Sequence, residues 1–301
     1  MQVLKYPILT LLSIGKRSFE SMGALIQRSS STVSRLLNPA PVYFEQTYLI
    51  SRAIFAKRKK IFVVIDDTLI NKIHSKFMWG AGMFFNSKIG RRIMAYKLVA
   101  GLVTDGKFAV PIGGSYLFAK ELTDGLNKKF PTKIDIAKQF IETAIKLFPD
   151  KRIIVVADGH YSTIEFLSWC RSQKIHAETR MHNNRVVLFN GKNVKISQFL
   201  EQKDLVPKGR KMARTISVVW HNIDLELTIV RRINKSGDET FVFLAATYKA
   251  KPMEHVKNYV YRWPIEKFFR TVKQSLGLQE CFSRILEKQH RHVAAVFLGV
   301  F

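Results

Sequence analysis

Three acidic positions stand where a carboxylate needs a reason to be. The apolar run I-F-V-V-I ends in Asp66-Asp67-Thr68, and a second run, I-I-V-V-A, ends in Asp158. β-Branched residues bounded by charge predict buried strands. A carboxylate at the end of a buried strand is costly without a partner, and a metal ion is the commonest one. Two such strands, set side by side, would present their Asp residues together, as a pair of divalent ions requires. Mg2+ suits that site, because it takes few carboxylates and completes its shell with substrate phosphate oxygens. For the first segment the alternative is an Asp pair that caps the exit of the strand. The third position is Glu266, in K-N-Y-V-Y-R-W-P-I-E-K-F-F-R-T-V-K-Q-S-L-G. Pro264 suits a first helical turn and Gly277 a C-terminal cap, which predicts a helix from about Trp263 to Leu276. Lys273 follows Glu266 by about two turns, so both project from one face, while Ile265, Phe268, Phe269 and Val272 build the buried side. Taken alone, that Glu–Lys pair reads as a solvated face.

Positioning these groups takes an α/β core. Lys97–Val103 and Lys107–Ile112 read as strands around a Thr104-Asp105-Gly106 turn. An amphipathic helix follows over about Lys133–Leu147, ended by Pro149, and a helix running through Cys170 stands behind the Asp158 strand. Between Asp158 and Glu266 lie more residues than such a core needs, and Val218–Trp220, Leu225–Arg231 and Thr240–Thr247 alternate or run in β fashion. Trp220 sits among alternating neighbours and reads as core. Near the N-terminus, Phe19, Met22, Leu25 and Ile26 have helical spacing. After a polar break, Val33, Leu36 and Leu37 form a second apolar face, with Ser30 or Ser31 as its cap. Two short helices with a tight break suit a helix-turn-helix that presents Ser31, Thr32, Ser34 and Arg35 to DNA, with Gln27 where a Gly is usual. An ordinary helical hairpin is the alternative.

Composition narrows the partners. The 301 residues carry 49 Lys and Arg against 23 Asp and Glu, a formal charge of +26, and 47% are hydrophobic. That is a folding composition, and every part of the chain contributes to the excess. A protein charged this way repels itself unless a polyanion offsets it, which puts nucleic acid first and an anionic membrane second. The apolar stretches around Ile8–Ile14 and Val293–Phe301 fall well short of the ~20 residues of a spanning helix. Cys170 and Cys281 form neither a zinc pattern nor a disulfide framework, so reduced cytoplasmic thiols are expected.

Together, Tyr259-x2-Arg262-x3-Glu266-x6-Lys273, the segments D-D-T and V-A-D-G, and Ser283-Arg284 downstream resemble bacterial insertion-sequence transposases with a DDE catalytic domain and a Y-R-E-K signature. The resemblance covers approximately residues 61–301. It implies an α/β, ribonuclease H-like mixed sheet flanked by helices, with an N-terminal helical domain and a β-rich insertion. Residues 1–55 would be the helical DNA-binding domain and 56–175 the first part of the core. Residues 176–250 would be the insertion, 251–280 the final catalytic helix, and 281–301 the start of a C-terminal helical region, truncated or unusually short. The resemblance maps the catalytic, metal-holding triad onto Asp67, Asp158 and Glu266. Asp67 is preferred because the family's catalytic Asp immediately precedes Thr, and Asp66 is the fallback. Two Mg2+ ions, with Mn2+ able to substitute, would then serve in-line phosphoryl transfer: cleavage at the element's ends and joining to target DNA.

Tyr259, Arg262 and Lys273 would contact phosphates, since two cations and a phenol offer donors without competing for the metal. Basic clusters would track the backbone: Lys88–Arg92, with Arg91 and Arg92; Lys208–Arg214, with Arg210 and Lys211; and Arg231-Arg232. The first two read as loops. The expected partners are double-stranded DNA and a second copy in a synaptic homodimer, with no membrane. Competing readings are a metal-dependent nuclease of the same fold that only hydrolyses, and an inactive or truncated DNA-binding copy.

Overall fold

The structure, a computed structural model, describes residues 2–13, 18–37, 43–73, 78–118, 130–208, 212–234, 236–281 and 283–301. Its centre is β1 (Lys60–Asn71), the apolar run that ends in the Asp pair. β3 (Arg91–Thr104) lies antiparallel along one edge of β1, with Asp66 opposite Ala100. The far edge of β3 is shared by β4 (Ala109–Leu117) and β2 (Gly82–Asn86). On the other edge of β1, β5 (Arg152–Ala157) runs parallel, and β6 (His176–Met181) runs parallel to β5. The run β4-β3-β1-β5-β6 is therefore antiparallel on one side of β1 and parallel on the other, the ribonuclease H-like mixed sheet that the resemblance implies.

The sheet continues beyond β6. It adds β11 (Glu239–Ala246), β10 (Ile223–Ile233), β9 (Ala213–Trp220), β7 (Val186–Phe189) and β8 (Lys192–Lys195) in that order. The β-rich stretch expected over residues 176–250 thus extends the sheet of the core, and its first strand, β6, pairs directly with β5. Trp220 is buried there, as expected, with the Arg185 guanidinium carbon 5.4 Å from its ring centroid.

Helices cover both faces. The N-terminal ones are α1 (Gln2–Leu12), α2 (Phe19–Leu25), α3 (Ser30–Arg35) and α4 (Tyr43–Phe55). α5 (Lys133–Leu147) opens on a reciprocal cap between Thr132 and Asp135, and α6 (Ile164–Ser172) follows β5. Both pack on the face that carries Ile61, Val63 and Ile65. The other face, with Phe62 and Val64, packs against α8 (Trp263–Gln274), with α7 (Pro252–Val260) before it and α9 (Leu286–Leu298) behind. α8 stops two residues short of Leu276, and Gly277 takes the left-handed conformation expected of a cap, φ 65°.

Three local expectations need correction. β4 starts at Ala109, not Lys107, because the Asp105 carboxylate accepts the N–H groups of Lys107 and Phe108, both at 2.9 Å, and so extends the turn. Of the cluster Lys88–Arg92, only residues 88–90 lie in a turn; Arg91 and Arg92 already belong to β3. In the N-terminal helix pair, Ser29 caps α3 rather than Ser30 or Ser31, accepting the Thr32 N–H at 3.3 Å from an extended backbone. Gln27 takes the left-handed conformation, φ 52°, where a Gly is usual. Gly23 makes the close turn, since a methyl there would come 2.5 Å from the Arg28 carbonyl.

The helix pair is fastened to α9. Met22, Val33 and Leu37 share a core with Tyr6, Leu9, Ala294, Ala295 and Leu298. His292 is fully buried, and burial pushes its imidazole down to about 4, so it is neutral. A carbonyl only accepts, so Nε2–H donates to Gly277 at 3.0 Å and Nδ1 accepts from the Tyr6 hydroxyl at 2.8 Å. Cys170 and Cys281 are buried free thiols. Among the described residues no helix is long and apolar enough to cross a membrane.

Candidate active site

Strand register decides which carboxylates meet. In the parallel pair, Ile65 stands opposite Ala157, so Asp66 and Asp158 are the next neighbours outward. Ala157 stands opposite Thr179, which sets Arg180 of β6 beside Asp158. Alternate residues share a face, and neighbouring strands lie ~4.8 Å apart. Asp66, Asp158 and Arg180 therefore form a row across three strands on the face covered by α7 and α8. Asp67 points to the opposite face, toward α5. There it pairs with Lys133, the first residue of α5, and with Lys97 at 3.2 Å.

The two aspartates are held in opposite electrostatic states. Burial, followed by the charge of Asp158, pushes the Asp66 carboxyl up to about 7, although the Asp67 N–H and Arg262 act against the shift. The Asp67 N–H donates to Asp66 Oδ1 at 2.8 Å. Burial alone would raise Asp67 too, but Lys133 and Lys97 outweigh it and hold that carboxyl below its ordinary range. Asp67 is thus an ion-paired carboxylate, whereas Asp66 and Asp158 repel one another across adjacent strands.

Glu266 reaches this row through an arginine. Arg262 donates from Nη2 to Glu266 Oε1 at 2.5 Å, and its Nη1 lies 3.6 Å from Asp66 Oδ2. The Tyr259 ring lies 5.9 Å from the Arg262 guanidinium carbon. Burial, mainly, and then the charge of Asp158 raise the Tyr259 phenol, so it stays protonated. Lys273, two turns along α8 from Glu266, donates to Thr68 Oγ1 at 2.6 Å. Thr68 alternates onto the same strand face as Asp66. Burial and then Lys88 push the Lys273 ammonium down to about 8. Asp158 accepts the His160 N–H at 2.9 Å and opens a 3-10 turn.

The remaining residues singled out in the sequence lie farther off. Arg91 and Arg92 are exposed at the outer end of β3. Arg35 is exposed at the end of α3 and donates to Thr32 Oγ1 at 3.2 Å. Arg210 and Lys211 lie outside the described residues. Two features carried no sequence signal. One is Arg180, set beside Asp158 by register alone. The other is a buried network under α7: His255 Nδ1 lies 2.7 Å from Glu178 Oε1, Tyr248 donates to Glu178 Oε2 at 3.0 Å, and Asn258 donates to Tyr248 at 2.8 Å. It ties β6 to the helix that carries Tyr259.

Among the described residues, no three His, Cys, Asp or Glu side chains converge closely enough to hold a metal ion. The guanidinium of Arg262 spans the gap between Glu266 and Asp66. The donor set nevertheless fits a divalent cation: two neighbouring carboxylates with oxygen donors only, one of them reluctant to ionise beside the other, and a third paired with Arg262.

A family model described as Transposase DDE domain matches residues 57–300 of the chain. No curated protein matches it. Among solved structures, the NurA nuclease from Sulfolobus solfataricus aligns over 71% of this chain and 82% of that one, at 10% identity and a TM-score of 0.30, too loose a likeness to carry weight.

Proposed function

This chain belongs to the transposase DDE domain family, and from that premise we propose that it binds the ends of an insertion sequence, cuts DNA there and joins the cut end to target DNA. The observation that supports this most is the row formed by Asp66 and Asp158 on adjacent parallel strands, with Glu266 linked to it through Arg262. That row favours Asp66 over Asp67 as the first metal-holding carboxylate, since Asp67 is occupied by Lys97 and Lys133 on the other face.

Asp66, Asp158 and Glu266 would hold a pair of Mg2+ ions, with Mn2+ able to substitute; the ions would supply Lewis-acid activation of the attacking and leaving oxygens. The chain's own groups do the rest. Arg262, freed from Glu266 and Asp66, turns its planar fork to a phosphate. Tyr259 donates a hydrogen bond as a neutral phenol. Lys273, fixed by Thr68, and Arg180 add positive charge along the scissile strand. Water or a terminal 3′-OH can attack in line, because the same groups stabilise the transferred phosphoryl in either case.

Away from the carboxylates, Arg91, Arg92, Arg210 and Lys211 would contact the DNA backbone, and Arg35 in the helix pair would contact element-end DNA. In this reading residues 1–55 form the DNA-binding head, 176–250 the insertion, and two copies bring two ends together in the cytoplasm.

The test is divalent-ion-dependent nicking of duplexes bearing the element's terminal repeats, followed by a joining assay with a pre-nicked end. Wild type is expected to nick and to join, and Asp158→Ala to do neither. Equal nicking by both removes the mechanism, and nicking without joining leaves a nuclease instead.

A further inference from the structure

The β2–β3 hairpin forms one margin of the sheet, and its apolar side chains face solvent. Met83 and Phe85 are 45% and 63% exposed, and Ile89, in the turn, is 53% exposed. Met83 pairs with Met94 and Phe85 with Arg92, so these four share one face. Met94 and Ala100 alternate onto the same side of β3, and Ala100 stands opposite Asp66. The exposed strip is therefore an extension of the face that carries the carboxylates.

The turn holds its tip firmly. The Asn86 carbonyl accepts the N–H groups of Ile89 at 3.2 Å and Gly90 at 2.9 Å, the Asn86 side chain accepts that of Lys88 at 3.0 Å, and Gly90 takes φ 67°. Residues 82–96 include Lys88, Arg91 and Arg92 and no acid. An apolar tip ringed by cations is a poor contact for a second copy of the chain, which would bring the same charge. It fits DNA, whose phosphates suit the cations and whose base stack suits the isoleucine.

We propose that the hairpin is a DNA wedge: Lys88, Arg91 and Arg92 grip the phosphates while Ile89, backed by Phe85, enters the duplex and unstacks a base step. The inference rests on the reading of the chain as a DNA-processing enzyme and deepens it. Ala100, opposite Asp66, and Ile89 are eleven residues apart, at most roughly 37 Å. The unstacked step then falls within about eleven base pairs of the carboxylates, at ~3.4 Å per pair.

Permanganate oxidation of unstacked thymines tests this on a mixed-sequence duplex of ~40 base pairs, about four helical turns, without divalent ions, so that nothing is cut. Bound wild-type protein should raise thymine reactivity about threefold or more. Ile89→Ser should abolish the rise while changing Kd less than about threefold, because the residue is exposed and its flanking cations remain. Arg91→Ala should weaken binding by about three- to tenfold at low salt. Binding without enhanced reactivity, or enhancement that survives Ile89→Ser, overturns the wedge. A dimer that sediments as a monomer once Ile89→Ser or Phe85→Ser is introduced, in the absence of DNA, overturns it in favour of a contact between copies. Absence of nicking in a parallel Mg2+ reaction on terminal-repeat duplexes, with unstacking intact in the metal-free assay, defeats the transposase reading and leaves the wedge standing.

Discussion

Lys273 couples the strand face to the helix that carries Glu266. Its bond to Thr68 fixes its direction, and burial with Lys88 nearby lowers its proton affinity to about 8. A lysine with a lowered value is charged below that pH and neutral above it, so in the proposed mechanism its help to a DNA phosphate would be complete at neutral pH and would be lost as pH rises through about 8. Nicking measured as kcat/KM should therefore fall above pH 8 in the wild type, and the fall should move to higher pH in Lys273→Arg, since arginine keeps its charge. Coincident profiles would remove Lys273 from the reaction. At this scale the sequence was legible up to the choice between two neighbours. D-D-T marks the first carboxylate, but β1 buries both its faces, so no polar–apolar alternation tells which Asp points to α8. Pairing with β5 decides it, and that is a long-range fact. Arg180 was illegible for the same cause: nothing in H-A-E-T-R-M distinguishes a residue that register sets beside Asp158.

Elements position these residues through close approach as much as through period. Phe140 of α5 sits over two glycines, Gly101 of β3 and Gly113 of β4. A methyl on Gly101 would come 2.9 Å from the Phe140 side chain, and one on Gly113 would overlap its ring. Gly113→Ala should thus destabilise the fold by ~1–3 kcal/mol, the cost of overpacking a filled core, as read from the midpoint of denaturant unfolding. An unchanged midpoint would show that α5 can shift outward freely. Apolar periodicity made α5 and β5 legible in the sequence, and capping residues set the limits of α8 closely. The start of β4 was not legible, because the Asp105 carboxylate holds two further N–H groups in the turn. The continuation of the sheet through β11, β10 and β9 was not legible either. Alternation identifies strands but not the partner each one takes.

At the scale of the molecule, the charge of +26 and the carboxylate row belong together. A site of three acids repels a phosphate backbone, so in the proposed mechanism surrounding cations would hold the DNA against it while bound metal would offset the acids. If some six to ten cations meet phosphates, affinity for duplex DNA should drop by about 10³-fold or more between 50 and 200 mM salt, with a steep linear log–log slope. Titration of the equilibrium constant against salt measures this, and a shallow slope would mean that most of the charge is idle. The central claim is that Asp66, Asp158 and Glu266 form the metal-holding set while Asp67 serves the fold. Mg2+-dependent nicking of terminal-repeat duplexes by Asp66→Asn and Asp67→Asn, side by side with wild type and with folding checked by circular dichroism, tests it most directly. The account predicts loss of nicking by at least ~10³-fold in Asp66→Asn, as expected when a metal-holding carboxylate is removed, with folding intact. In Asp67→Asn it predicts retained nicking and lower stability, because Lys97 and Lys133 lose their counter-ion. The reverse pattern, an active Asp66→Asn and a folded but inactive Asp67→Asn, would contradict it.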